Sequence, residues 1–208
     1  VRAPIVTGQP ITESFVVRAD KAGFLSALVK PGMRAVSFVG PTRVARAVYQ
    51  RATAAGKRVQ ALGGAKNFIV VLPDADLDRA IPNIAESFYG CAGERCLAGS
   101  VLLPVGAAHA PARDRLVEAA RSLRVGDGLE PGVQMGPVIS AKHRDRIQEY
   151  VARGVAEGAT LALDGRTRAL PRDGYFVAPT VFDRVSPDTR IGREEIFGPV
   201  ATVCPVRD

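Results

Sequence analysis

The sequence predicts an α/β fold built on a largely parallel sheet, and three observations lead there. Short apolar runs alternate along the chain with segments whose apolar residues recur at helical spacing. Glycine-led turns separate most of these runs, as strand-to-helix connections require. The composition is that of a globular domain: 47% hydrophobic and 24% charged residues in a chain of 208 exclude wholesale disorder and a collagen-like fibre.

Taken in order, Ala35–Val39 reads as a buried strand that ends in the turn Gly40-Pro41-Thr42. A helix from Arg43 to Ala54 follows, with Val44, Ala45, Val48 and Tyr49 at helical spacing and Ala55-Gly56 as its stop. Arg58–Leu62 is the second strand. The loop Gly63–Asn67 leads to a third, Phe68–Leu72, which is the longest apolar run and far too short to span a bilayer. Asp74 is the expected N-cap of a helix with Leu77, Ala80, Ile81, Ile84, Ala85 and Phe88 on one face. Gly90 ends that stripe, and Cys91–Gly99 form a turn before the strand Ser100–Val105. Helices are expected at Ala112–Leu123 and Ala141–Ala156, the second closed by Gly158, with a loop at Gly126–Gly136 between them. Strands at Thr160–Leu163, Tyr175–Phe182 and Val200–Val206 complete the pattern. No internal repeat or low-complexity linker interrupts it.

A net charge of +7 raises nucleic acid as a partner, but the basic residues are dispersed and sit beside acids, as in Lys142-His143-Arg144-Asp145-Arg146. Only 6% of residues are aromatic, too few for a base-stacking surface. A solvated, arginine-rich surface is the better account, with neither nucleic acid nor membrane as partner. The 3 cysteines, Cys91, Cys96 and Cys204, form no disulfide scaffold and no CxxC pair. No basic-then-apolar leader opens the chain, so the expected compartment is the reducing cytoplasm. The chain begins at Val1 rather than Met, and its natural start is expected upstream.

Three segments could carry chemistry. In Gly93-Glu94-Arg95-Cys96-Leu97-Ala98-Gly99-Ser100, a cysteine among small residues sits on a turn between helix and strand, with Arg95 and backbone N–H groups available to favour the thiolate. The competing reading is a small buried hydrophobe. A Cys–His hydrolase would need His109, placed in a loop, or His143, placed at a solvated helix start. No Cys/His cluster has metal-ligand spacing. The second segment, Val36–Thr42, is a strand–turn–helix that aims N–H groups at an anion without the GxGxxG pattern. The third, Glu194-Glu195-Ile196-Phe197-Gly198-Pro199, is uninformative alone.

Together, Ser37–Thr42, Gly63–Asn67, Gly90–Cys96 and Glu195–Pro199 resemble the aldehyde dehydrogenase superfamily in order and spacing. The run Val59–Asn67 followed by Pro73-Asp74-Ala75 is similar to the CoA-acylating methylmalonate-semialdehyde dehydrogenases. The resemblance covers roughly Arg34 to Val206 and is highly specific as a combination.

This resemblance implies the end of a Rossmann-like NAD-binding domain, 1–62, with 1–34 poorly matched, joined to most of a catalytic α/β domain, 63–208. It makes Cys96 the nucleophile, its own N–H a donor to the oxyanion, and NAD the hydride acceptor. Glu195 would bind the nicotinamide ribose, Phe197 would pack near the ring, and Gly40, Pro41 and Thr42 would lie beside the pyrophosphate. Leu62 stands where hydrolytic members carry a glutamate base. Gln60, Ala61 and Gly63 offer no better base, so CoA rather than water is the implied acceptor of the thioester.

Two further features depart from the family. Ala45 stands where its turn usually has glycine. Family members are also more than twice as long, with an upstream half that supplies the first cofactor-domain strands, a lysine for the adenosine ribose and an asparagine for the oxyanion. The oligomerisation strand and the last catalytic segment lie beyond Asp208. The expected protein is therefore a semialdehyde dehydrogenase fragment that associates with itself or with a full-length homologue. The alternative is a truncated, inactive remnant. Cys96 is expected to face the cleft while Cys91 packs beneath it.

Overall fold

A computed structural model describes residues 35–207, which divide into two compact units between Gly64 and Ala65. The first unit holds strand β1 (Ala35–Val39), helix α1 (Thr42–Ala54) and strand β2 (Arg58–Leu62). β1 and β2 run parallel in register, Ala35 opposite Arg58 through Val39 opposite Leu62. A parallel pair needs a crossover, which α1 provides. Both strands alternate exposed and half-buried residues, and α1 buries only Ala45 and Ala52.

The second unit is built on a five-stranded sheet of order β3-β4-β7-β6-β5. Its strands are β3 (Asn67–Val71), β4 (Gly99–Pro104), β5 (Thr160–Leu163), β6 (Thr180–Asp183) and β7 (Val200–Val203). Every neighbouring pair is parallel except β5–β6. The helices are α2 (Leu77–Tyr89), α3 (His109–Ser122), α4 (Ala141–Ala156) and the one-turn α5 (Arg190–Arg193). β6 and β7 are buried at every residue, as strands covered on both faces must be. Tyr89, Leu102, Leu116, Ile147, Phe182 and Ile191 anchor the core. Gly154 lets α4 approach it: a Cβ there would lie 2.8 Å from the Ile191 Cδ1 and 2.9 Å from the Phe182 ring.

Several expectations are corrected. The N-cap of α2 is Asp76, not Asp74: its Oδ1 accepts from the N–H groups of Asp78 (3.1 Å) and Arg79 (3.3 Å). Asp74 lies inside a turn closed by Ala75 N–H on the Leu72 carbonyl at 3.1 Å, two residues too early to cap a helix that begins at Leu77. The strand expected over Tyr175–Phe182 begins only at Thr180. Pro179 has no N–H to offer a ladder, and the Ala178 carbonyl oxygen is pressed to within 2.2 Å of the Cβ position of Gly165. The last strand stops at Val203, ahead of Pro205, with Val206 making an isolated bridge to Val105. α3 starts at His109, three residues before the expected Ala112, and α5 had no counterpart in the sequence reading. Among the described residues no helix is long and apolar enough to cross a membrane.

Candidate active site

The turn that carries Cys96 starts where α2 loses its helical backbone. Gly90 is extended, and Cys91 (φ 51°), Ala92 (φ 53°) and Gly93 (φ 72°) follow in left-handed conformation. For a residue with a Cβ this region costs about 1–2 kcal/mol. At Gly93 a second constraint applies, since a Cβ would sit 2.4 Å from the Gly198 carbonyl oxygen. The Glu94 N–H closes one turn on the Cys91 carbonyl at 3.0 Å, and the Ala98 N–H closes the next on Arg95 at 3.0 Å. Cys96 lies within that second turn, exposed, and its own N–H donates to no acceptor among the described residues.

Two expectations about this turn do not hold. Cys91 is exposed rather than packed beneath Cys96, because the left-handed residues end the helical phase that extrapolation from Phe88 assumed. Arg95 does not serve the thiol. Its guanidinium donates to the Glu86 carbonyl at 2.6 Å, which also accepts from the Gly90 N–H, and to the Ser87 carbonyl at 3.4 Å, in the last turn of α2.

Beside this turn runs the loop Glu194–Pro199. The two glutamates differ in what they have free. Glu194 is locked: Arg190 donates to both of its oxygens, at 2.7 and 2.9 Å, and Tyr150 donates its hydroxyl to one of them. These bonds, the Arg190 pair foremost, hold its carboxyl below the usual range. Glu195 accepts one bond, from Ala65 N–H to Oε2 at 3.3 Å, and its Oε1 accepts none among the described residues. Phe197 has φ 59°, and its ring meets the His143 ring edge-on with centroids 6.3 Å apart. Asn67, Arg95, Ala98, Glu195, Phe197 and Gly198 are among the residues lining a cleft between turn and loop. Cys96 does not line it and stands in solvent.

Two residues at this site, Asn67 and Lys66, were given no role by the sequence, and a third, His143, was misplaced. Asn67 donates its side-chain amide to the carbonyls of Cys96 (3.0 Å) and Ala98 (2.9 Å). Lys66 donates to the carbonyls of Ile191 (2.8 Å) and Glu194 (2.9 Å). Burial pulls the Lys66 amine down from 10.5 to about 8, against the opposing pull of Cys204, Glu195 and Glu194. His143, expected in solvent, is held instead: its Nε2 lies 2.6 Å from the Phe197 carbonyl and 3.1 Å from Glu94 Oε1. His109 opens α3 rather than lying in a loop, and its Nε2 bonds Asp183 at 2.7 Å. With both imidazoles engaged elsewhere, neither is paired with a cysteine. Among the described residues no group of acids, histidines and cysteines could hold a metal ion.

The turn Gly40-Pro41-Thr42 lies in the first unit. Pro41 caps α1 through no side chain, and its carbonyl accepts from Val44 (2.8 Å) and Ala45 (2.9 Å). An uncapped helix start of this kind presents N–H donors suited to an anion. The Thr42 hydroxyl accepts from Gly64 N–H at 3.1 Å. Leu62 closes β2, with its carbonyl accepting from Gly40 N–H at 3.1 Å.

Known proteins resemble this chain over most of its length. The chain is 47% identical over 176 residues to malonate-semialdehyde dehydrogenase of Halalkalibacterium halodurans, covering 85% of this chain and 36% of that one. It is 50% identical over 177 residues to malonate-semialdehyde dehydrogenase 2 of Geobacillus thermodenitrificans, covering 85% and 37%. The structure superposes on a Sinorhizobium meliloti protein described as a methylmalonate-semialdehyde dehydrogenase complexed with NAD, with TM-score 0.81 and 43% identity over 88% of this chain and 38% of that one. The chain thus spans little more than a third of the length of these relatives. The sequence profile of the aldehyde dehydrogenase family matches residues 12–208, and the chain belongs to that family.

Proposed function

We propose that this chain carries the thioester chemistry of a CoA-acylating malonate- or methylmalonate-semialdehyde dehydrogenase, with NAD as oxidant and CoA as acyl acceptor. On this reading 1–62 is part of the NAD-binding domain and 63–208 part of the catalytic domain. The protein works in the cytoplasm as a homo-oligomer or beside a full-length homologue. The observation that carries the reading is one cleft walled by the turn of Cys96 and the loop of Glu195.

The residues present fit the cofactor. Glu195 keeps Oε1 free for a ribose hydroxyl while Ala65 holds Oε2. The uncapped start of α1 at Gly40, Pro41 and Thr42 suits a pyrophosphate. The Phe197 ring is half-buried in the same loop, as a residue meant to meet a flat ring requires.

The Cys96 thiolate adds to the aldehyde carbon, and its free N–H donates to the oxyanion that forms. NAD, when bound, supplies the acceptor for the hydride that leaves this carbon. Cys96 is then an acyl thioester. By the resemblance Leu62 stands where hydrolytic members carry a base and can abstract no proton from water, so CoA is the acyl acceptor; attack by its thiolate forms the acyl-CoA and returns the Cys96 thiolate. The test is a titration with NAD followed by addition of malonate semialdehyde and CoA. Saturable NAD binding and an acyl-CoA product, lost in Cys96→Ala, are expected. No binding at millimolar NAD would favour the inactive remnant instead.

A further inference from the structure

Two neighbours at the entrance to β3 reach in opposite directions. Asn67 spends both N–H bonds of its amide on the nucleophile turn, at the carbonyls of Cys96 (3.0 Å) and Ala98 (2.9 Å). Lys66 turns the other way and ties the carbonyls of Ile191 (2.8 Å) and Glu194 (2.9 Å), the second of which immediately precedes Glu195. The residue before them, Ala65, donates its N–H to the Glu195 carboxylate at 3.3 Å. Adjacent residues entering a strand point to opposite sides, so one short segment can grip two loops at once.

The chemistry of each side chain suits its task. A primary amide offers two donors in a fixed plane, which two neighbouring carbonyls can share; a hydroxyl has one donor and a carboxylate none. The ammonium offers three donors on a long stem and can serve two carbonyls beneath a surface.

We infer that Asn67 is the positioning residue of the Cys96 turn and Lys66 that of the Glu195 loop, so that one strand entrance sets the separation of thiol and carboxylate. This rests on Cys96 and Glu195 having the roles proposed above. That reading is tested first and separately. In the unsubstituted chain iodoacetamide must label Cys96 ahead of Cys91, and the reverse order would defeat the nucleophile assignment before any variant is made.

Positioning is then tested with substitutions in the full chain, by alkylation mapping together with amide hydrogen exchange. Asn67→Asp replaces two attractive contacts by repulsive ones of the same shape. The Cys96-to-Cys91 labelling ratio should fall by about fivefold, the equivalent of one net hydrogen bond of about 1 kcal/mol, with exchange in residues 194–198 unchanged. Lys66→Met should accelerate exchange in 194–198 by about fivefold or more and leave the labelling ratio as it was, and Lys66→Arg should restore slow exchange. Should Asn67→Asp fail to fold, Asn67→Ser, which keeps one donor, must lower the ratio by a smaller factor. An unchanged ratio in the folded Asn67 variant, or unchanged exchange in Lys66→Met, overturns the inference. So does a uniform loss of protection across both readouts, which is what a purely structural role would produce.

Discussion

The two units bury their strands to different depths. Among the described residues β1 and β2 pair only with each other and keep alternate residues in solvent, Val39 at 57% and Leu62 at 49% exposure. β4, β6 and β7 have partners on both sides, and Val101, Val181, Phe182, Ala201 and Val203 lose all contact with solvent. The lesson is that sheet membership sets how much a β-branched run contributes. Short strands give a core in one unit and a half-wet ribbon in the other, because the described part of the first unit, two strands and one helix, cannot cover two faces.

The largest effect expected from this contrast is on core truncation. Phe182→Ala should cost about 3–5 kcal/mol, because the ring is fully buried, whereas Val36→Ala in half-buried β1 should cost less than about 1 kcal/mol. Chemical denaturation read by hydrogen exchange in each unit separates the two, and comparable losses would break the contrast. The next effect is electrostatic. Lys57 and Arg58 in the first unit are exposed, while Lys66 in the second is held near about 8 by burial. Between about pH 8 and 10 the unfolded chain still binds the Lys66 proton and the folded chain has released it, so folding stability contributed by this site rises with pH. The slope approaches about 1.4 kcal/mol per pH unit at full release and should vanish in Lys66→Met. Denaturant melts at pH 7.5, 8.5 and 9.5 (about one-unit steps) measure it, and a falling or unchanged slope would count against the burial of this amine. Smaller still is the cap of α2: Asp76→Ala should cost about 1 kcal/mol, and Asp74→Ala next to nothing.

Much of the fold was legible where local chemistry decides. β1, β2, α4 and β5 have the bounds that their runs and stops suggest, and Ser140 and Gly158 bracket α4 as cap and terminator. Elements failed to show where a distant partner decides. The strand at Thr180 starts late where Pro179 offers no N–H and the preceding chain passes close against Gly165, and Cys91 and Ala92 adopt a conformation that neither residue advertises. The site divides the same way. Cys96, Glu195 and Phe197 could be named from the family pattern. Asn67 reaches a carbonyl 29 residues away and Lys66 one 128 residues away, and no spacing rule in a single sequence reports such pairings. His143 looked solvated for a similar reason: its neighbours in sequence are mostly charged and exposed, while its partners in space, the Phe197 carbonyl and ring and the Glu94 carboxylate, come from distant segments.

The contact between Gly93 and Gly198 also governs how this part of the molecule can be exchanged between relatives. A single methyl group at position 93 would collide with the Gly198 backbone at 2.4 Å, and one at position 198 would meet the Ile147 side chain at 2.5 Å. A chimera whose crossover falls between α2 and β7 joins the turn of one parent to the loop of another. It keeps this fit if the parent that gives the turn brings glycine at 93 and the parent that gives the loop brings glycine at 198, with a side chain at 147 that can make room. The two glycines therefore form one steric unit although they lie far apart in the chain, and a breakpoint between them is expected to be tolerated where the pair stays intact.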